Sequence, residues 1–108
     1  MPTFLDRHPL AAVPRAVQHQ LRREAAQGLV DPHGAQPLAH WLTDGVLYCV
    51  MQAPSQGAVC QHHAEHGLPC DDLHPIAGLR GSHPLSAAEL QRVHALIAEL
   101  WPADRHAT

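Results

Sequence analysis

Between Leu38 and Ala53 the chain carries two β-prone runs separated by the dipeptide Asp44-Gly45. Asp-Gly readily takes the paired positive-φ turn that matches the twist of two antiparallel strands. Leu38 to Thr43 and Val46 to Ala53 (VLYCVMQA) are therefore expected to form a hairpin. What flanks this hairpin decides the fold. Upstream, Thr3 to His8 alternates as a half-buried strand, and Pro14 opens a helical pattern (Val17, Leu21, Ala25) that Gly28 can end, so a helix is predicted at about 14 to 27. Downstream, Ser55 can cap a second helix at about 56 to 66 that stops at Gly67, and a weaker strand at about 72 to 79 contains Pro75, which only an edge or a bulge tolerates.

Strand, helix, hairpin, helix, strand is the order of an α+β ferredoxin-like βαββαβ sandwich. Ser86 to Glu89 reads as a capping box, and Leu90, Val93, Ile97 and Leu100 make an apolar stripe running to Pro102, so a C-terminal helix is added. The last six or so residues are expected to fray. Both helices of the βαββαβ unit cover one sheet face. The other must be covered by the C-terminal helix or by a second subunit, and a symmetric homodimer of the dimeric α+β barrel kind is expected. With 108 residues and 45% hydrophobic content the chain builds one core. Residues 1–80 are taken as the ferredoxin-like, metal-binding part and 81–108 as a helical extension of the same domain.

A net charge of -3 without any basic block argues against nucleic acid or an anionic membrane as partner. No apolar run reaches the roughly 20 residues of a membrane span, and Met1 to Leu10 lacks the pattern of a signal peptide, so a cytoplasmic location is expected. In that setting the three cysteines, Cys49, Cys60 and Cys70, are expected to form neither a structural disulfide nor a zinc-finger site.

Histidine occurs 11 times. Since all seven basic residues are arginine, part of that excess reflects composition, and the histidines must be sorted by position. On the second helix Val59, His62, His63 and His66 share an arc of about 100°, and the i, i+4 pair His62 and His66 can reach one ion. Asp6 and His8 project side by side from strand one, with Asp6 either coordinating or orienting the ring. His40 lies mid-strand in apolar company, and its polar atoms need a partner. Cys49 reads as a buried, inert thiol. His19, His33, His74, His83, His94 and His106 show no convergent partners. The resulting site draws on strand one, strand two and helix two.

The motif FLDRH (Phe4 to His8), the hairpin with Trp41, Tyr48-Cys49 and Ala53-Pro54, and His62 followed by His66-Gly67-Leu68 together resemble a family of small bacterial nickel-binding ferredoxin-like proteins, a domain of unknown function. The resemblance spans about residues 2 to 77. It implies a ferredoxin-like homodimer binding metal through His8, His62 and His66, with Asp6 as the acidic residue and His40 where the family pattern suggests a tyrosine.

The function expected is therefore binding of a divalent transition metal. The resemblance favours nickel, while imidazole with an oxygen donor also suits copper, zinc or iron, for storage, sensing or metal-dependent chemistry. Two histidines and a carboxylate also compose the facial triad of Fe(II) oxygenases. Other readings are a cofactor-free dimeric α+β barrel enzyme, a monooxygenase or tailoring type using His40 or His8 as acid or base, and a plain dimeric interaction module.

Overall fold

The computed structural model describes residues 1–104. Its order is β1 (Thr3–Pro9), a 3-10 turn (Leu10–Ala12), α1 (Arg15–Gln27), β2 (Gln36–Thr43), β3 (Val46–Gln52), α2 (Gln56–Glu65), β4 (Leu73–Ile76), α3 (Ala87–Leu100) and a 3-10 turn (Pro102–Asp104). The four strands form one sheet in the order β2-β3-β1-β4 with every neighbour antiparallel, which is the ferredoxin-like arrangement. Asp44 and Gly45 both adopt positive φ at the hairpin tip (46° and 81°), as that turn requires. Pro75 and Pro37 lie on the two edge strands, β4 and β2, with a register shift between Pro37 and Ala39, while Pro9 is only the last residue of the central β1.

Strand parity sorts two faces. Phe4, Asp6 and His8 lie opposite Met51, Cys49 and Leu47, and this face is covered by Leu21 of α1 and Val59 of α2, with Val13 just before α1 and Leu68 just after α2. Leu5 and Val50 point the other way into a cluster with Leu38, Ile76, Leu85 and Val93. Of the two covers expected for this second face, α3 is the one present: Val93 is fully buried on it, with Leu90, Leu96, Ile97 and Leu100 around it. The capping box at Ser86 and Glu89 is formed.

Three expectations need correction. The fourth strand is only Leu73–Ile76, because β1 offers it four partners, Asp6 to Thr3. The chain end does not fray from residue 103: Asp104 forms an ion pair with Arg7 and accepts a hydrogen bond from Tyr48 Oη at 2.8 Å. Burial, followed by this bond to Asp104, pushes the Tyr48 phenol up to about 12. The remaining expected fraying, with His106, lies outside the described residues. Finally, Cys60 and Cys70 form a disulfide that ties α2 to the segment before β4, with Cα atoms 5.4 Å apart. The odd cysteine count and the supposed compartment concealed it, since neither reports that the turn at Gly67 brings the chain back along α2. No helix among the described residues is long and apolar enough to cross a membrane.

Candidate metal centre

Two groups of potential ligands form on the α1/α2 side of the sheet, and helix α2 contributes to both. Ser55 starts α2 by accepting from Ala58 N. The helix ends where Leu68 N and His66 N both donate to the His63 carbonyl and Gly67 takes φ 68°. That end presents His62, His63 and His66 in the last turn. Successive residues differ by about 100°, so His62 and His63 aim at different neighbours, whereas His66 falls back over His62.

The first group is Asp6, His8 and His63, all buried. His8 Nε2 lies 3.2 Å from Asp6 Oδ2, and His63 Nε2 meets the same oxygen in a short contact. The opposite nitrogen of His63, Nδ1, is 2.8 Å from the Val59 carbonyl. A carbonyl only accepts, so Nδ1 carries a proton. In a neutral imidazole Nε2 is then bare, with its lone pair directed at a carboxylate, and the pair is stable only with a cation between them: a second proton on His63 or a metal ion. Without metal, burial works against the charged ring, but the hydrogen bond and charge of Asp6 outweigh it and raise His63 above its ordinary value. Burial likewise opposes the Asp6 carboxylate, yet His63 and then His8 bring it down to about 2. Asp6 Oδ1 is buried without a hydrogen-bond partner, a donor atom left over for an ion. Across β3, the Cys49 thiol is free, and burial followed by the nearby Asp6 charge pushes it well above its ordinary value, so it stays protonated.

The second group is Glu24, His62 and His66. Glu24 stands in the last turn of α1, where Gly28 N closes on its carbonyl at 2.8 Å. Its Oε1 lies 2.8 Å from His62 Nε2 and its Oε2 lies 3.2 Å from His66 Nε2. The two rings sit edge to face with centroids 4.7 Å apart. Ligand atoms bound to one ion at about 2.1 Å and angles of about 90–110° stand about 3.0–3.4 Å apart, which these separations approach. A cavity of about 280 Å³, bordered by Gln20 and Glu65, adjoins this group, so an ion here could keep water or exchangeable ligands. The two groups are neighbours, with the His62 and His63 rings 6.0 Å apart.

The five residues singled out in the sequence are thus divided. Asp6 and His8 stand together, and so do His62 and His66, but in different groups. His40 belongs to neither: it pairs with Cys49, which pairs with Asp6, placing it two strands away, about 10 Å across the sheet. A single site drawn from strand one, strand two and helix two is therefore not what the fold assembles. Two residues were missed. His63 shows in the sequence as part of the histidine arc on α2, and its companion is visible only once β1 lies beneath the helix. Glu24 gave no sequence signal, because its pairing spans 38 residues. Three of the histidines without evident partners have ordinary ones: His33 with Glu65, His74 with Asp72, and His83 with the Ala25 carbonyl.

The family model described as "Nickel responsive protein SCO4226-like" matches residues 4–76. The chain belongs to this family. Among solved structures, the crystal structure of SCO4226 from Streptomyces coelicolor A3(2) superimposes with a TM-score of 0.55 at 23% identity, covering 70% of this chain and 96% of that one. That likeness supports the shared fold. Among curated proteins, no match is found. The family match stops at Ile76, so α3 and its cover of the second sheet face lie beyond it.

Proposed function

We propose that this protein binds divalent nickel, or a similar transition ion, at two sites in its ferredoxin-like part, residues 1–80. The observation that carries this reading is His63: its Nδ1 is committed to a backbone carbonyl, which orients a bare Nε2 at a carboxylate shared with a second imidazole. Backbone-fixed tautomers of this kind are how proteins prepare histidine ligands. The family description points the same way. Glu24, His62 and His66 form the accessible site, which takes an ion first. Asp6, His8 and His63 are buried, and filling them requires α2 to lift from β1, so that site fills slowly and holds its ion longer. Two neighbouring sites on one short helix suit sensing or storage, where occupancy changes how α2 seats on the sheet.

Each group draws its three side chains from one chain. The homodimer expected from the sequence is kept in a changed form, because α3 already occupies the face it was to use and association must employ another surface. The cytoplasmic location is likewise a proposal, and the Cys60–Cys70 disulfide weighs against it, since such bonds persist mainly in oxidising compartments. Counting thiols in acid-quenched cells decides: a reducing location gives three per chain, an oxidising one gives only Cys49.

The metal reading is tested by calorimetry with Ni²⁺ on EDTA-stripped protein lacking a histidine tag. Saturable binding is expected, with His62→Ala and His66→Ala each weakening the accessible site at least tenfold, about 1.4 kcal/mol. His19→Ala serves as the control on an exposed ring and leaves binding unchanged. Equal losses from all three variants, or no saturable heat, would sink the proposal.

A further inference from the structure

A cavity of about 520 Å³ lies along the β2 edge of the sheet, with α1 on one side and α3 on the other. It is remote from both ligand groups in composition: neither Asp6, His8, His63 nor Glu24, His62, His66 borders it. Its walls are mostly apolar, formed by alanines of α1 and β2, Leu90 and the Trp41 ring, against which His94 stands edge-on with centroids 5.4 Å apart. Arg22, His40 and His94 are its basic side chains, and no carboxylate is among the described residues that line it.

The polar groups are the informative ones. Arg22 makes no ion pair or side-chain hydrogen bond among the described residues. Both ring nitrogens of His40 are shut off from water without a hydrogen-bond partner. The Leu21 carbonyl comes near enough to favour the protonated ring, but no bond of proper geometry forms, and burial first and Arg22 second leave His40 below its ordinary value. His40 therefore meets the cavity through the carbon edge of its ring. The exposed, unpaired Arg22 guanidinium beside it supplies a fork of donors with charge. An apolar cavity of this size with a charged donor fork at its edge is a common makeup of a small-molecule site.

From this geometry we infer that the cleft between α1, β2 and α3 binds a small organic carboxylate with an aromatic or otherwise apolar body. Its carboxylate pairs with the Arg22 guanidinium, and its body lies against the His40 and Trp41 rings, Leu90 and the alanines. Leu90 and His94 belong to α3, outside the residues the family model spans, so the site is a feature that the C-terminal extension completes. A bare inorganic anion would gain nothing from the apolar walls, and an uncharged analogue nothing from Arg22.

The test uses the full chain in EDTA and follows backbone amide shifts by NMR during titration with benzoate and phenylacetate. Benzyl alcohol, benzylamine and inorganic phosphate are run in parallel. Saturable shifts centred on Ala39 to Trp41 and on Leu90 to His94 are expected, with Kd below about 1 mM for at least one carboxylate. Arg22→Gln, on an exposed position that the fold tolerates, is expected to weaken binding at least tenfold. Ala26→Phe, which fills the cleft from the exposed side of α1, is expected to abolish it. The inference is overturned if neither carboxylate binds at several times that concentration, or if benzyl alcohol binds equally and Arg22→Gln changes nothing. It is also overturned if phosphate competes as well as benzoate. Concentration-dependent self-association that Ala26→Phe removes would show that a second copy, not a carboxylate, fills the cleft.

Discussion

Replacing His63 by alanine in the metal-free protein removes one partner of a buried charge pair. Asp6 is held near pKa 2 at the end of two imidazole contacts, and one of its oxygens already has no partner. His8, at 3.2 Å, would be the sole remaining contact among these, so a buried carboxylate would be left mostly uncompensated. Breaking a buried pair in this way costs about 3–5 kcal/mol, against a total stability of about 5–15 kcal/mol for a small domain. Part of that loss is cavity rather than charge, and Asp6→Asn separates the two. It removes the charge while keeping the shape, and its amide can donate to the bare Nε2, so it should cost only about 1–2 kcal/mol. In the double variant the uncompensated charge is gone, and the expected sum exceeds the observed loss by about 2 kcal/mol. The assay is urea unfolding followed by tryptophan fluorescence at pH 6 in EDTA. A loss below about 1 kcal/mol for His63→Ala, or full additivity in the double variant, would refute the reasoning about Asp6 and His63.

The same pair sets an expected pH profile. Asp6 is lowered from 3.8 to about 2, so its contribution, about 2 kcal/mol, is present above pH 3.8 and lost as pH falls through 2. His63 is raised above 6.5, so its side of the same interaction is complete below 6.5 and is lost as pH rises through the raised value. Metal-free protein should therefore be most stable between about pH 4 and 6.5 with respect to this pair, whereas Ni²⁺ affinity should climb across the upper limit because bound imidazole must be neutral; thermal melts with and without Ni²⁺ check the opposing trends. Glu24→Gln should weaken the accessible site about tenfold or more in calorimetry while leaving the melting temperature of metal-free protein nearly unchanged, since Glu24 is only part-buried. Reducing Cys60–Cys70, or the Cys60→Ser variant, should cost about 3 kcal/mol in urea unfolding, the chain-entropy value for a loop of sequence separation 10. Glu89→Ala should cost about 2–3 kcal/mol in the same assay, since this carboxylate accepts from the backbone of Arg80 and Ser86 and from the Ser82 hydroxyl while closing the capping box.

What the sequence revealed follows the range of each signal. Strand alternation, the Asp44-Gly45 turn, the proline limits and the Ser86 capping box are local, and each appears in the structure within a residue or two. Asp6 with His8, and His62 with His66, are also local pairs, set by the two-residue period of a strand and the four-residue return of a helix. Joining the pairs is not local. His63 reaches Asp6 across 57 positions and His62 reaches Glu24 across 38, and only the seating of α2 on β1 and beside α1 brings them together. His40 shows the converse. Parity alone places it on the same face as Asp6, but β3 stands between them. The disulfide escaped for a related reason: the pairing depends on the turn at Gly67, which neither the count of cysteines nor the compartment reports. The second sheet face needed a cover, and the sequence left open whether α3 or a partner supplied it. The position of Val93 at zero exposure answers that.

The most direct test of the account is anomalous diffraction from crystals soaked in NiCl₂, collected on both sides of the nickel absorption edge. The account predicts one peak bonded to His62 Nε2, His66 Nε2 and Glu24, and a second, filling more slowly, between Asp6, His8 and His63. Nickel found only on isolated exposed rings such as His19, with both groups empty at saturating metal, would contradict it.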